Sequence, residues 1–399
     1  MMHTTTRAMI LALAQRISFG ELTVHEGGRT HVLGPGGPPR ATIEIRSPHA
    51  WPMLAGGRRR CLEAYRKGLW DSPDLVTLFR VAAGNITKID SIRRPIAFVR
   101  APFQRRNTPT RSRRDISAHY DLGNELFSLM LDPAMMYSCA IFEHPESTLQ
   151  QAQLRKLEMV CEKLNLGPGD RVIEIGSGWG GFAIHAATTR GCHVTTTTIS
   201  SEQYHLAIER VRGAGVQHLV DVRLDDYREL RGSYDRLVSL EMIEAVGHKN
   251  LGTFFACCSN LLAPHGTMLL QAITIDDRAY DISKTSRSFM RTCMFPNGCL
   301  PSPRAIADGI ARRTDMRTVH LEDFTPHYAE TLRRWRANID AVDAQLELLG
   351  YDKCFRRQWQ LYLAYCEAGF EERLIAVVQM VMTKPRHRTD RSVWPRTTV

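Results

Sequence analysis

The stretch RVIEIGSGWGG, residues 171–181, constrains this chain more than any other. Five residues of strand character, Arg171–Ile175, run directly into a turn with glycine at Gly176, Gly178 and Gly181. A strand that ends in glycines at this spacing is how a parallel α/β sheet lays backbone against a small ligand, and the spacing satisfies the dinucleotide fingerprint. Further strand patterns follow at RLVSLEM, HVTTTTI, LVDVRLDD and TMLLQAITI, separated by amphipathic helical segments. Alternation of this kind predicts an α/β fold with a doubly wound, largely parallel sheet, and ligands beyond the carboxyl ends of its strands.

A dinucleotide needs its pyrophosphate over a helix N-terminus and an acid about 20 residues on for the ribose. Here the second strand runs into Thr195–Thr198 instead, and Glu174 stands two residues before the first glycine. A carboxylate there repels a phosphate and attracts a cation. S-adenosylmethionine, which carries an ammonium and a sulfonium but no phosphate, suits this loop better than a nicotinamide cofactor. From the motif alone, an incidental glycine-rich turn with no ligand stays open.

Three regions separate by texture. Residues 1–90 mix short strand patterns (GELTVHEG, ATIEIRS), Gly/Pro punctuation and one helical stretch, RCLEAYRKGLW, and read as a small mixed α/β domain. Residues 91–114 hold eight arginines and no acid, the mark of an exposed linker. Residues 115–384 carry the α/β alternation, and residues 385–399 read as a basic, disordered tail.

Composition excludes some classes of function. The longest apolar stretch, LIAVVQMVM (374–382), is shorter than the roughly 18 residues of a membrane span. The apolar run near the start, with an Ala-Leu-Ala that mimics a cleavage site, covers only Ala8–Ala14, which disfavours a signal peptide. Ten cysteines without C-x-x-C spacing suit a reducing cytoplasm and no metal site. A net charge of +10 points to an anionic partner or a solvated basic surface. Nucleic acid is disfavoured, because no binding module is present and aromatics do not interleave with the arginines.

Several blocks taken together carry a family resemblance: SAHYDLGNELFSLMLDPAMMYSCAIF, VIEIGSGWGGFAIHAA, TTISSEQ, LEMIEAVGHKN, FPNGCLPS and YLAYCEAGFEER. In order and spacing they resemble the cyclopropane fatty acid synthase family, and EAYRKGLWDSPDL resembles the smaller domain of its full-length bacterial members. The resemblance implies a Rossmann-like class I methyltransferase domain at 115–384 and a lipid-binding role for residues 1–90. It implies methyl transfer from S-adenosyl-L-methionine to the double bond of unsaturated acyl chains in phospholipids, giving a cyclopropane, methylene or methyl-branched chain. It also implies cytoplasmic location, peripheral association with a membrane surface and a possible homodimer.

By the same resemblance, Tyr137, Ser138, Gly176 and Gly178 hold the methionine end of the cofactor, and Glu174 reaches its ammonium. Thr198 and Gln203 meet the ribose; Asp226 and Tyr227 border the adenine. A bound bicarbonate is the family's base, held at positions matching Cys139, Glu244, Tyr328 and the backbone at Ile273. A fifth position, usually histidine, is Gln271 here, whose amide donates and accepts hydrogen bonds but does not titrate near neutrality. Cys366 falls in the pocket lining, and a buried thiol with no chemical duty is the structural alternative. His119 and Tyr120 are expected to help close the site. Arg93, Arg94, Arg105 and Arg106 are candidates for contact with an anionic leaflet, against a merely solvated linker. Two rival functions share the scaffold: a small-molecule N-methyltransferase and a non-catalytic lipid-binding protein.

Overall fold

The computed structural model describes residues 2–85, 123–286 and 298–388, together with residues 290, 291, 294 and 295. The linker expected at 91–114, its four candidate arginines, His119, Tyr120 and the tail from residue 389 onward lie outside the described residues.

Helix α1 (Met2–Ala14) precedes strands β1 (Glu21–Glu26), β2 (Arg29–Leu33) and β3 (Arg40–Ile45). Apolar residues at alternate positions, Leu22 and Val24 in β1 and Ala41, Ile43 and Ile45 in β3, point to one face of the sheet, as a period of two requires. Gly27 and Gly28, both with positive φ, turn β1 back into β2, the backbone a two-residue hairpin loop needs. After α2 (Ala50–Ala55) and α3 (Arg58–Arg66) the short β4 (Trp70–Asp71) closes a four-stranded sheet in the order β2-β1-β3-β4. Helix α4 (Leu75–Gly84), capped by Asp74 accepting from the Thr77 amide at 3.0 Å, crosses this sheet.

The second sheet has seven strands in the order β10-β11-β9-β8-β5-β6-β7. Helices α5 (Asn124–Met130) and α6 (Leu149–Leu164) lead into β5 (Arg171–Ile175), then α7 (Gly181–Arg190) and β6 (His193–Thr197). Next come α8 (Ser201–Gly213), β7 (Val220–Arg223), β8 (Tyr234–Leu240), α9 (Leu251–Leu261) and β9 (Leu262–Ile275). Five strands, β9, β8, β5, β6 and β7, are mutually parallel. The chain winds out from β5 to β6 and β7, then returns to β8 on its other side. That reversal opens a crevice at the carboxyl end of β5.

The last part departs from the parallel pattern. Helices α10 (Asp277–Ser283) and α11 (Pro303–Arg313) lead to β10 (Arg317–Asp323), and α12 (Thr325–Ala341), α13 (Asp343–Leu348) and α14 (Lys353–Glu371) lead to β11 (Ile375–Thr383). Strand β11 runs antiparallel to both neighbours, with Val377 opposite Ile273. It is the apolar stretch that the sequence shows as too short for a membrane span, and it is buried on both faces of the sheet. Strand β10 is an exposed edge rich in charge, which discourages further strand pairing. The fold is the expected α/β architecture with a doubly wound, mostly parallel sheet and a smaller N-terminal sheet.

Helix α14 joins the two sheets. Arg357 donates to Asp71 Oδ2 at 2.9 Å and to the Tyr65 carbonyl at 2.8 Å, and its guanidinium lies 3.9 Å from the centre of the Tyr65 ring. Arg80 on α4 pairs with Glu372 at 2.7 Å. We expect Arg357→Ala to lower stability by about 1–3 kcal/mol, the range for a hydrogen bond to a charged group. Arg357→Lys, which loses the planar fork, should fall between variant and wild type. Urea unfolding of the full chain measures both, and coincident midpoints for all three proteins would count against this role.

Candidate active site

The glycine turn after β5 is fixed by its own backbone. The amides of Gly176 and Ser177 both donate to the Thr197 carbonyl, at 3.0 and 2.8 Å, which ties the turn to the end of β6. Gly176 has φ +100° and a Cβ there would lie 3.0 Å from Met242, so a side chain would be strained by its conformation and crowded by its neighbour. Glu174, on the strand just before, is buried and accepts from the Thr196 hydroxyl at 2.5 Å. Burial pushes its carboxyl up to about 8, against the pull of that hydrogen bond and of Lys156.

The other expected cofactor residues come from three further segments. Tyr137 and Ser138 lie in the coil after α5; the Tyr137 hydroxyl meets that of Tyr362 at 2.8 Å, and Ser138 Oγ accepts from Lys156 Nζ at 2.7 Å. Thr198 Oγ1 donates to Gln203 Oε1 at 2.8 Å across the start of α8. Asp226 and Tyr227 follow β7, and Arg228 grips the Asp226 carboxylate at 2.7 and 2.6 Å. All nine expected cofactor residues, Tyr137, Ser138, Glu174, Gly176, Gly178, Thr198, Gln203, Asp226 and Tyr227, line one cavity of about 960 Å³.

Of the residues expected at the reacting end, Glu244, Ile273, Tyr328 and Cys366 line the same cavity. Cys139 and Gln271 stand behind it and reach it through hydrogen bonds to a residue sequence reasoning passed over, Glu241. Glu241 Oε1 accepts from the Cys139 amide at 2.8 Å and from Gln271 Nε2 at 2.7 Å; its Oε2 accepts from the Tyr328 hydroxyl at 2.5 Å. The orientation of the Gln271 amide follows from a chain of donors: Gln379 Nε2 donates to Gln271 Oε1 at 2.9 Å, and Lys163 Nζ donates to Gln379 Oε1 at 2.7 Å. Gln271 therefore presents its NH₂ to Glu241.

This arrangement bears on the bicarbonate that the resemblance implies. Three of the groups assigned to a bicarbonate, at Cys139, Tyr328 and Gln271, do converge, but on a carboxylate of the chain itself. With Glu241 in place they do not fit a bicarbonate. Glu244, the residue expected to hold that anion, accepts from the Ile273 amide at 2.5 Å through Oε1, and its Oε2 has no hydrogen-bond partner among the described residues. Burial, and then the neighbouring Glu241, push the Glu244 carboxyl up to about 8, so near neutrality it is a protonated acid.

The thiols are inert. Burial pushes Cys366 up to about 12 and holds Cys139 well above the ordinary thiol range, so neither is a thiolate near neutrality. The Tyr328 phenol is raised well above its usual value by burial and by Glu241, and remains a donor.

Lys156 is a second residue the sequence reading missed. It projects from the buried face of α6 alongside Gln153, Leu157 and Val160, and burial pulls its ammonium down to about 8 against the attraction of Glu241 and Asp132. A lysine and a glutamine at helical spacing within an apolar face was the signal. For Glu241 it was a carboxylate directly after the buried end of a strand, Leu237–Leu240, three residues before another.

The state of Glu174 generates a prediction. Below about pH 8 it is predominantly neutral, and a neutral acid attracts an ammonium less than a carboxylate does. Affinity for S-adenosylmethionine should rise from about pH 6 towards about pH 8, by at most about tenfold per pH unit, with a proton released on binding. Calorimetry in two buffers of different ionisation enthalpy measures the release, and Glu174→Gln should abolish it. A wild-type protein that binds the cofactor with no proton release across that window would refute the assignment.

With this geometry in hand, likeness to known proteins becomes informative. Residues 107–380 match the mycolic acid cyclopropane synthetase family. The chain is 39% identical over 333 residues to a tuberculostearic acid methyltransferase of Mycobacterium tuberculosis, spanning 81% of this chain and 78% of that protein. It is 41% identical over 266 residues to the cyclopropane-fatty-acyl-phospholipid synthase of Escherichia coli, spanning 67% of this chain and 66% of that enzyme. Among solved structures, a mycolic acid cyclopropane synthase complexed with SAH and CTAB superposes with a TM-score of 0.64 at 30% identity, over 68% of this chain and 98% of the other. The chain belongs to the mycolic acid cyclopropane synthetase family and is an S-adenosylmethionine-dependent methyltransferase.

Proposed function

We propose that this protein transfers the methyl carbon of S-adenosylmethionine to the double bond of an unsaturated acyl chain in a phospholipid. One observation carries the reading: the cavity that gathers the cofactor residues also takes in the apolar interior of the N-terminal sheet. Leu22, Ile43, Trp51 and Leu54 line it together with Glu174 and Tyr328. Its volume, about 960 Å³, is at the upper end of the about 300–1,000 Å³ usual for small-molecule sites. A chain drawn from a bilayer gains nothing by entering an apolar space, but each methylene left against water costs about 0.8 kcal/mol. An apolar chamber removes that cost.

Bound S-adenosylmethionine supplies an electrophilic methyl group and no more. The protein must then hold the alkene beside it, keep water out and stabilise the carbocation that methyl addition leaves. Tyr137, Tyr328 and Tyr362 line the cavity with aromatic rings, and Tyr328 is stacked on Phe370 at 4.4 Å between centroids. A ring face attracts a desolvated cation by up to about 2 kcal/mol. The neutral Glu244 and the un-ionised thiol of Cys366 offer the carbocation no anionic nucleophile to trap it.

The fate of one proton sets the product. Loss from the added methyl with ring closure gives a cyclopropane; a 1,2-hydride shift that moves the cation onto the methyl-bearing carbon, followed by loss from that same methyl without closure, gives a methylene branch, which a reductase converts to a methyl branch. The relatives named above include both a cyclopropane-fatty-acyl-phospholipid synthase and a tuberculostearic acid methyltransferase. A small-molecule N-methyltransferase is disfavoured by an apolar chamber of this size and by those relatives.

No described helix is long and apolar enough to cross a membrane; under the proposed function the lipid is met at the bilayer surface. The arginines of residues 91–114 suit this task, each contributing about 1 kcal/mol near an anionic leaflet. Purified protein incubated with S-adenosylmethionine and dioleoyl-phosphatidylglycerol vesicles should add 14 Da (roughly, one CH₂) per modified chain, and chromatography against standards separates the ring from the branch. Ile43→Trp, which fills the chamber away from the cofactor residues, should cut turnover at least about tenfold while leaving cofactor affinity unchanged. Wild-type turnover in that variant, or no mass increment with the wild type, overturns the reading.

A further inference from the structure

We infer that Glu241 is the catalytic base of this enzyme, a carboxylate built into the chain at the point where a bicarbonate was expected. The inference rests on the acyl-methylation reading above and adds the group that accepts the proton.

Geometry carries it. A carboxylate offers about four acceptor sites. Three on Glu241 are filled, by the Cys139 amide, Gln271 Nε2 and the Tyr328 hydroxyl. The fourth, on Oε2, has no partner among the described residues, and Glu241 lines the cavity that also exposes Tyr137, Gly176 and Tyr328. The donors therefore hold the carboxylate rigidly and leave one lone pair for a proton.

The backbone argues the same way. Glu241 has φ +55°, left-handed for a residue with a side chain, and its amide is held by the Gln271 carbonyl at 2.8 Å. Such a conformation is held only where the surroundings over-determine it, and it is concentrated at functional sites. It is also what turns the side chain at the end of β8 back towards Cys139 and Tyr328.

Gln271 fits the same account. Histidine would be the choice beside a freely exchanging anion whose protonation it must follow. A glutamine locked by Gln379 presents a fixed NH₂, which is the partner a permanent carboxylate needs. Desolvation raises the Glu241 carboxyl, and the three donors and then the buried positive charge of Lys156 pull it back towards the ionised form.

The step balances within the site. The alkene π pair bonds to the methyl carbon as the C–S pair stays on sulfur, leaving a carbocation and S-adenosylhomocysteine. Glu241 Oε2 takes a proton from the added methyl, and the freed C–H pair closes the third C–C bond of the ring. The proton stays on Glu241 and passes to water when the product leaves.

The test compares turnover on dioleoyl-phosphatidylglycerol vesicles in buffer stripped of carbon dioxide with turnover in the same buffer plus bicarbonate. Wild-type rates should agree within about twofold. Glu241→Gly suits the left-handed backbone, so it should fold, still bind S-adenosylmethionine and lose at least about 100-fold in turnover. Added bicarbonate, now able to occupy the space between Cys139, Gln271 and Tyr328, should restore part of that loss. Glu241→Gln, isosteric but not basic, should be equally slow without rescue. Wild-type turnover that depends on added bicarbonate, or a Glu241→Gln variant of normal rate, overturns the inference. If the wild type makes no product under any condition, the acyl-methylation reading fails instead.

Discussion

The carboxylate of Glu241 is the knot of this structure. Its side chain gathers the coil after α5, strand β9 and helix α12 onto the end of β8, through donors at Cys139, Gln271 and Tyr328. None of these segments is adjacent in sequence, and each brings a wall of the cavity with it: Tyr137 and Ser138 with the coil, Ile273 with β9, Tyr328 with α12. A buried anion without donors is too costly to persist. The walls must therefore close on it together, and the same closure shapes the reacting end of the site.

Around that knot, charge is distributed by burial. Glu174 and Glu244 are both pushed up to about 8, while Glu241, though also raised, is surrounded by donors and lies near Lys156. Three carboxyl groups in one apolar space, all raised by burial, thus divide into one held by three hydrogen-bond donors and two with fewer donors, pushed up to about 8. Chemically identical groups acquire different duties because their solvation differs. Under the proposed function, Glu174 meets the cofactor's ammonium, Glu241 accepts the proton, and Glu244 stays neutral next to the carbocation.

The N-terminal sheet also belongs to the site. Its apolar face opens into the cavity of the methyltransferase domain, and Arg357 and Arg80 clamp the two sheets together across α14 and α4. Neither sheet alone encloses the space. Apolar surface that would otherwise need covering in a small domain becomes the lining of a shared chamber.

The glycine turn, the five parallel strands and the α/β class were legible because they depend on local pattern: alternation, strand length and glycines where φ is positive. The cofactor loop could be distinguished from a dinucleotide loop by one nearby residue, Glu174. Strands β10 and β11 were not legible as an antiparallel pair, since an exposed edge strand lacks the buried alternation that marks a strand, and a strand buried on both faces reads only as an apolar run. Nor was the role of Glu241. Its three partners lie 102, 30 and 87 positions away along the chain, separations over which sequence carries no register. The sequence by itself determined which backbone conformations were available and which chemistry the side chains offer. Tertiary structure alone decided which carboxylate the donors would meet, because hydrogen bonds at 2.5 to 2.8 Å are set by how strands and helices pack, not by their order in the chain.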